Sequence, residues 1–264
     1  MELLNAYYDY PAITIVALAA FAFVAGFIDA AAGGGGLIQL PALLINLPGQ
    51  SIPTIFGTNK MASFAGTSVA IHQYSQKIKY NFGLLAVVAF FAFVASRLGA
   101  QSVSMIDIDK LKPVVLVLLI VVAAYVYFKK NLGKIKGRNV TLAKQMILGS
   151  LIGFAVGFYD GFFGPGTGSF LVLGFVLVLG FEFVAASAYS KVINGVTNIS
   201  AIIVFTSKGN FLLEIAIPMA ICNATGSVIG SRMALKRGNS FVRVVFLIVV
   251  SLMIARYAYE VFWQ

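Results

Sequence analysis

A chain of 264 residues that is 60% hydrophobic and only 11% charged, with a mean hydropathy of +0.94, cannot cover a water-soluble body, whose charged share is about 25%. The net charge of +10 does not point to nucleic acid, because most basic residues lie in short breaks between apolar runs, the pattern of positive-inside membrane topology. One cysteine, Cys222, excludes an intrachain disulfide and a Cys-based metal site; no metal and no cofactor are expected.

Ahead of the first apolar run stand Glu2 and Asp9 and no basic residue, a poor signal peptide, so the first helix is expected to be retained. The first repeat, residues 1–128, carries five apolar segments at roughly 11–30, 36–47, 53–75, 80–103 and 110–128. A linker, 129–142, is basic and expected in the cytoplasm together with the stretch to residue 144. It contributes Lys129, Lys130, Lys134, Lys136 and Arg138 ahead of Lys144. The second repeat, 143–264, shows segments at about 143–160, 166–181, 185–206, 211–233 and 240–262. The second segment of each half is too short for a bilayer core of about 30 Å, which needs about 20 helical residues. In the first half it also holds Pro41.

The halves are copies of one another. Gly26-Phe27-Ile28-Asp29 answers Gly157-Phe158-Tyr159-Asp160, and 160 − 29 = 131. The same offset relates Gly33 to Gly164, Gly35 to Gly166, Lys60 to Lys191, Ser96 to Ser227 and Gly99 to Gly230. One register over nearly the whole of each half is a duplication.

Charge placement chooses between topologies. If all ten segments cross and the N-terminus is outside, twelve basic residues fall inside: Lys77, Lys79, the six from Lys129 to Lys144, Arg232, Lys236, Arg237 and Arg243. Five fall outside: Arg97, Lys110, Lys112, Lys208 and Arg256. If the short segments only dip in and out, the division is ten to seven, a poorer fit. The expected fold is therefore all-α, a polytopic bundle of about ten transmembrane segments. Its five-plus-five repeat is inverted, with short or broken second helices. The alternative is four plus four with re-entrant segments.

Four charges fall inside apolar segments as two repeat pairs, Asp29 with Asp160 and Lys60 with Lys191. A charge at the bilayer centre costs about 2.5–3.5 kcal/mol or more, so such groups are functional candidates. The bland reading is an ion pair, Asp29 with Lys191 or Asp160 with Lys60, that only locks the halves together. The aspartates are also placed to cap the glycine turns or to couple a proton. Lys60, Ser63 and Thr67 form one helical stripe, with Asn59 nearby; Lys191, Asn194 and Asn198 form the matching one. An ammonium flanked by hydroxyl and amide donors suits an oxyanion. Gly33-Gly34-Gly35-Gly36 and Gly164-Pro165-Gly166-Thr167-Gly168 break the chain at matching places. Backbone N–H groups near Gly35, Gly36, Gly166 and Thr167 would face an anion if a helix starts there; otherwise the glycines serve helix packing. His72, the one histidine, is read as an interfacial residue rather than a proton relay, and Arg97, Arg232 and Arg256 as snorkelling side chains.

The strings GFIDAAAGGGGLIQLPALL, GTNK at Gly57–Lys60, GFYDGFFGPGTGSF and AYSKVINGVTN resemble the TauE/SafE family of sulfite and organosulfonate exporters. That resemblance covers essentially the whole chain. It implies a multi-pass inner-membrane transporter of small sulfur-containing anions. The expected partners are that anion, the bilayer and protons as the coupling ion, with no nucleic acid and an open oligomeric state. The alternative function is a passive anion channel. An intramembrane aspartyl protease is disfavoured, because the second aspartate lacks the G-x-G-D context. No H-E-x-x-H or G-x-S-G motif offers another catalytic route, so no enzyme is expected.

Overall fold

The computed structural model describes residues 10–103, 120 and 140–262. Apart from residue 120, the segment expected at 110–128 and the linker as far as residue 139 lie outside the described residues. Among those described there is no strand, and eight helices follow one another: α1 (Ala12–Ala32), α2 (Gly36–Asn46), α3 (Ile52–Ser75), α4 (Phe82–Ser102), α5 (Leu142–Phe162), α6 (Thr167–Leu177), α7 (Phe183–Ser207) and α8 (Leu213–Phe262). The segments expected at 211–233 and 240–262 join in α8 and are separated by a break at Gly238, where φ is 71° and ψ −161°.

The duplication recurs in the helix bounds. Shifted by 131 residues, α2 coincides with α6 at both ends, and α3 and α4 start where α7 and α8 do. α2 and α6, at 11 residues each, rise about 16 Å, roughly half a bilayer core. Pro41 inside α2 has no N–H to offer the preceding turn. α3 opens on Ser51, whose hydroxyl accepts from the Thr54 N–H, with Pro53 in the first turn. α4 opens on Asn81, which accepts from the Leu84 N–H.

Four of these helices, together with the stretch Leu213–Ile248 of α8, are long and apolar enough to cross a membrane: α1, α4, α5 and α7. α3, at 24 residues, has the length but too many polar residues, of which Thr58, Asn59, Lys60 and Thr67 are buried. Large apolar side chains cover the outside instead, Ile13, Phe90, Leu98, Ile147 and Leu151 among them. Water would penalise such a surface and lipid does not.

Helix pairs from opposite halves approach closely over small residues. Gly149, Gly153, Gly157 and Gly161 of α5 meet Leu84, Val88, Ala92 and Ser96 of α4 in step along both chains. That G-x-x-x-G ladder lets the backbones touch. Its counterpart joins α1 to α8. A Cβ on Gly26 would overlap the Asn223 carbonyl, and one on Gly230 the Phe27 carbonyl. Those two contacts repeat, 131 residues on or back, as Gly157 on Ala92 and Gly99 on Phe158. The loops are clamped the same way. The Asn81 N–H donates to the Tyr189 hydroxyl at 2.7 Å, and the Leu212 N–H to Thr58 Oγ1 at 3.0 Å; both partners are again one repeat apart. Each half thus makes on the other what the other makes on it.

Replacing Gly157 by valine overfills the α4–α5 seam, so we expect a loss of about 1–3 kcal/mol. Gly49, with nothing within 4 Å of its ideal Cβ, is expected to tolerate alanine within about 0.5 kcal/mol. Thermal unfolding of the detergent-purified variants measures both.

Candidate functional site

α3 and α7 lie together between the halves, and each carries one lysine inward. Lys60 Nζ is 2.6 Å from Asp160 Oδ1, and Lys191 Nζ donates to Asp29 Oδ2 at 2.8 Å. The four residues sit in repeat-related places, so the pairs are crossed: each lysine is neutralised by the aspartate of the other half. Lys60, Lys191 and Asp160 are buried. The pairing expected on the bland reading is therefore present in the structure.

The two aspartates end their helices differently. Asp29 Oδ1 also accepts from the Gly35 N–H at 3.3 Å, across the first glycine turn. Asp160 Oδ2 is buried and has no protein partner. The two turns meet backbone to backbone. Gly33 has φ 80°, a conformation that favours glycine, and a Cβ there would overlap Gly168. Gly164 packs on the other side against the Lys60 ammonium, whose Nζ lies 3.3 Å from the ideal Cβ position.

Between the turns and the two central helices is a cavity of about 30 Å³, room for one or two waters. Of the residues singled out in the sequence, Asp29, Gly35, Gly36, Asn59, Lys60, Ser63, Asp160, Gly166, Thr167, Asn194 and Asn198 line it. Lys191 and Thr67 do not, and both are completely buried beside it. Two expected backbone donors are engaged by the protein itself: Gly35 N–H by Asp29, and Thr167 N–H by the Gly164 carbonyl at 3.2 Å.

Around the lysines, buried polar atoms without protein partners occur in matching places. Asn59 Oδ1 and Ser190 Oγ lie one residue before each lysine, and Thr67 Oγ1 and Asn198 Nδ2 seven residues after. Most buried polar groups in proteins are satisfied.

Two residues of the site escaped the sequence reading. Asn223 lines the cavity, and its Nδ2 donates to Gln39 Oε1 at 2.6 Å. Gln39 Nε2 reaches the Asn59 carbonyl and Ser63 Oγ, both at 3.3 Å. A repeat search passes over them, because their counterparts are Phe170 and Ala92. The available signal was a single glutamine inside an apolar half-length helix.

Among the described residues no cluster of three or more His, Cys, Asp or Glu could hold a metal. Removing one partner of a buried pair leaves a bare charge and costs about 3–5 kcal/mol. Lys60→Met is therefore expected to lower stability by that amount, and adding Asp160→Asn to restore most of it. Thermal unfolding of the single and double variants checks this.

The model of the family described as "Sulfite exporter TauE/SafE" matches residues 18–257. A "Probable membrane transporter protein" of Haemophilus influenzae is 34% identical over 91% of this chain and 93% of its own length. "Probable membrane transporter protein ORF9" of a Sinorhizobium species is 36% identical over 89% and 88%. "Probable membrane transporter protein YfcA" of Escherichia coli K12 is 31% identical over 98% and 95%. No solved structure matches the chain. With its apolar helices, its glycine turns and a match over nearly its full length, the chain belongs to the TauE/SafE family of membrane transporters.

Proposed function

We propose that this protein is a secondary transporter that carries a small sulfur-containing anion, of the sulfite, sulfonate or thiosulfate kind, across the inner membrane by alternating access. The observation that carries the reading is the set of four unpartnered polar atoms flanking Lys60 and Lys191 in repeat-related pairs. Asn198 Nδ2 and the hydroxyls of Thr67 and Ser190 can donate to an oxyanion beside the two ammonium groups. The family description supports the sulfur-containing class.

Inverted halves agree with the chain directions. Gln50 Nε2 donates to the Tyr10 hydroxyl at 2.9 Å, which brings the starts of α1 and α3 to one face. α4 begins at the other face, after the short connection 76–81. α5 lies in step with α4, so α1 and α5 run oppositely. The face where α5 begins carries Lys77, Lys79, Lys236 and Arg237, and it is the cytoplasmic one by the positive-inside rule.

Two lysines and two aspartates sum to zero charge. A monoanion entering so small a space among buried side chains brings an uncompensated charge, and a proton bound with it removes that charge. Asp160, with one carboxylate oxygen unpartnered, is the carrier on this reading; both oxygens of Asp29 are engaged. The cavity is smaller than such an anion. Binding therefore requires a lysine to leave its aspartate or the halves to part, which favours stepwise transport over a passive anion channel.

Purified protein is expected to be stabilised by sulfite, thiosulfate or sulfoacetate, by about 2.7 kcal/mol at a hundred times Kd. The double variant Lys60→Ala with Lys191→Ala is expected to lose that stabilisation. Thermal unfolding in the presence of each anion measures it. Stabilisation by a neutral sugar or amino acid instead, or an undiminished response in the double variant, overturns the reading.

A further inference from the structure

Where the repeat is least faithful, it differs in one chemical sense. At the end of the molecule where α4 and α7 begin, Tyr74, Tyr80 and Ser187 lie between the outside and the Lys191–Asp29 pair. Their counterparts 131 residues away at the other end are Phe205, Phe211 and Phe56. Three hydroxyl side chains at one end answer three phenyl rings at the other.

The hydroxyls form a file. Tyr80 stands in the connection 76–81 and, with Ser75 and Lys79, forms the polar edge of an otherwise apolar groove of about 820 Å³ lined by Ile71, Ile78, Phe82 and Leu85. Its ring packs edge-on against Tyr189 with centroids 5.2 Å apart. Burial, with Tyr189 adding to it, pushes the Tyr80 hydroxyl up to about 12, so it remains a neutral donor. Tyr74 comes next. Its hydroxyl donates to the Ala30 carbonyl at 2.9 Å, next to Asp29, and it faces Ser187, Tyr80 and Asp29. Ser187, Lys191, Asn194 and Asn198 follow one helical stripe of α7, with Ser190 beside it. Tyr80 OH and Ser190 Oγ are buried without a hydrogen-bond partner, and Ser187 is buried with its hydroxyl on that of Tyr74. Packing alone gives no reason to bury so many hydroxyls along one line.

The other end is apolar. Phe56 and Phe205 are buried, Phe205 lies against Gly57, and Phe56 packs on Phe163 with centroids 6.3 Å apart. Ring faces carry the negative side of the aromatic quadrupole and repel anions, and a constriction of phenyl rings excludes water. Exposed Lys77, Lys79, Lys236 and Arg237 surround the hydroxyl end, which raises the local anion concentration.

We propose that the file Tyr80–Tyr74–Ser187–Ser190 is the route by which water and the anion pass between the basic face and the lysine site, and that Phe56, Phe205 and Phe211 form the closed barrier toward the opposite face. The inference rests on the transporter reading. The two can be tested apart in one experiment on the full-length protein in membrane vesicles of known orientation. In a Cys222→Ala background, Ser187→Cys, Ser190→Cys and Phe205→Cys are each exposed to a membrane-impermeant anionic methanethiosulfonate from either face. Both serine variants are expected to react from the basic face at least about tenfold faster than Phe205→Cys reacts from either face. Serine variants that react no faster than Phe205→Cys overturn the route, as does faster labelling of Phe205→Cys from the opposite face. Sulfoacetate, which carries no free thiol chemistry of its own, is expected to slow the reaction of the serine variants. Fast labelling that no anion slows upholds the water route and counts against the anion reading.

Discussion

Lys60 held by Asp160 and Lys191 held by Asp29 are the contacts on which the arrangement depends. Four charges at membrane depth cost about 2.5–3.5 kcal/mol each or more if left single. Pairing each lysine with the carboxylate of the other half removes that cost only when both halves are present and in register. The crossed pairs, the small-residue seams of α4 with α5 and α1 with α8, and the reciprocal loop clamps all express this one exchange. A half alone would bury a lysine without its counter-ion.

Pairing also sets how the site can work. A neutral group of charges at the meeting point of two glycine turns has no standing attraction for an anion. On the proposed transport reading, selectivity would reside in donors freed when a pair opens and in the unpartnered side-chain atoms beside each lysine. The lack of a protein partner for Asp160 Oδ2, set against the fully engaged Asp29, makes the two pairs unequal. The repeat is most faithful where it builds the frame and least faithful along the approach to the site. Hydroxyls face the basic end there and phenyl rings the other, so one copied scaffold presents two different entrances.

Much of this could be read from spacing. Duplication at 131 residues located the lysines, the aspartates, the glycine turns and the two polar stripes. The half-length of α2 and α6 followed from the apolar runs at 36–47 and 166–181. The pairing of Asp29 with Lys191 was foreseeable as the simplest way to shelter the charges. Gln39 and Asn223 were not legible, because they have no repeat partners and contact each other across 184 residues. Tyr74 and Tyr80 carry no signal in the sequence, and only the burial of the Tyr74 ring and of the Tyr80 hydroxyl shows them turned inward. The ladder of glycines in α5 reads as a packing stripe once α4 is seen beside it, but the sequence does not name the partner helix.

The claim at the centre of this account is that a formally neutral site accepts an anion together with a proton. Calorimetric titration of purified protein with methanesulfonate, a sulfonate that is a monoanion at every working pH, in two buffers of different ionisation enthalpy, measures the protons exchanged on binding. The account predicts uptake of about one proton per bound monoanion, abolished by Asp160→Asn. Tight anion binding with no proton uptake would contradict it.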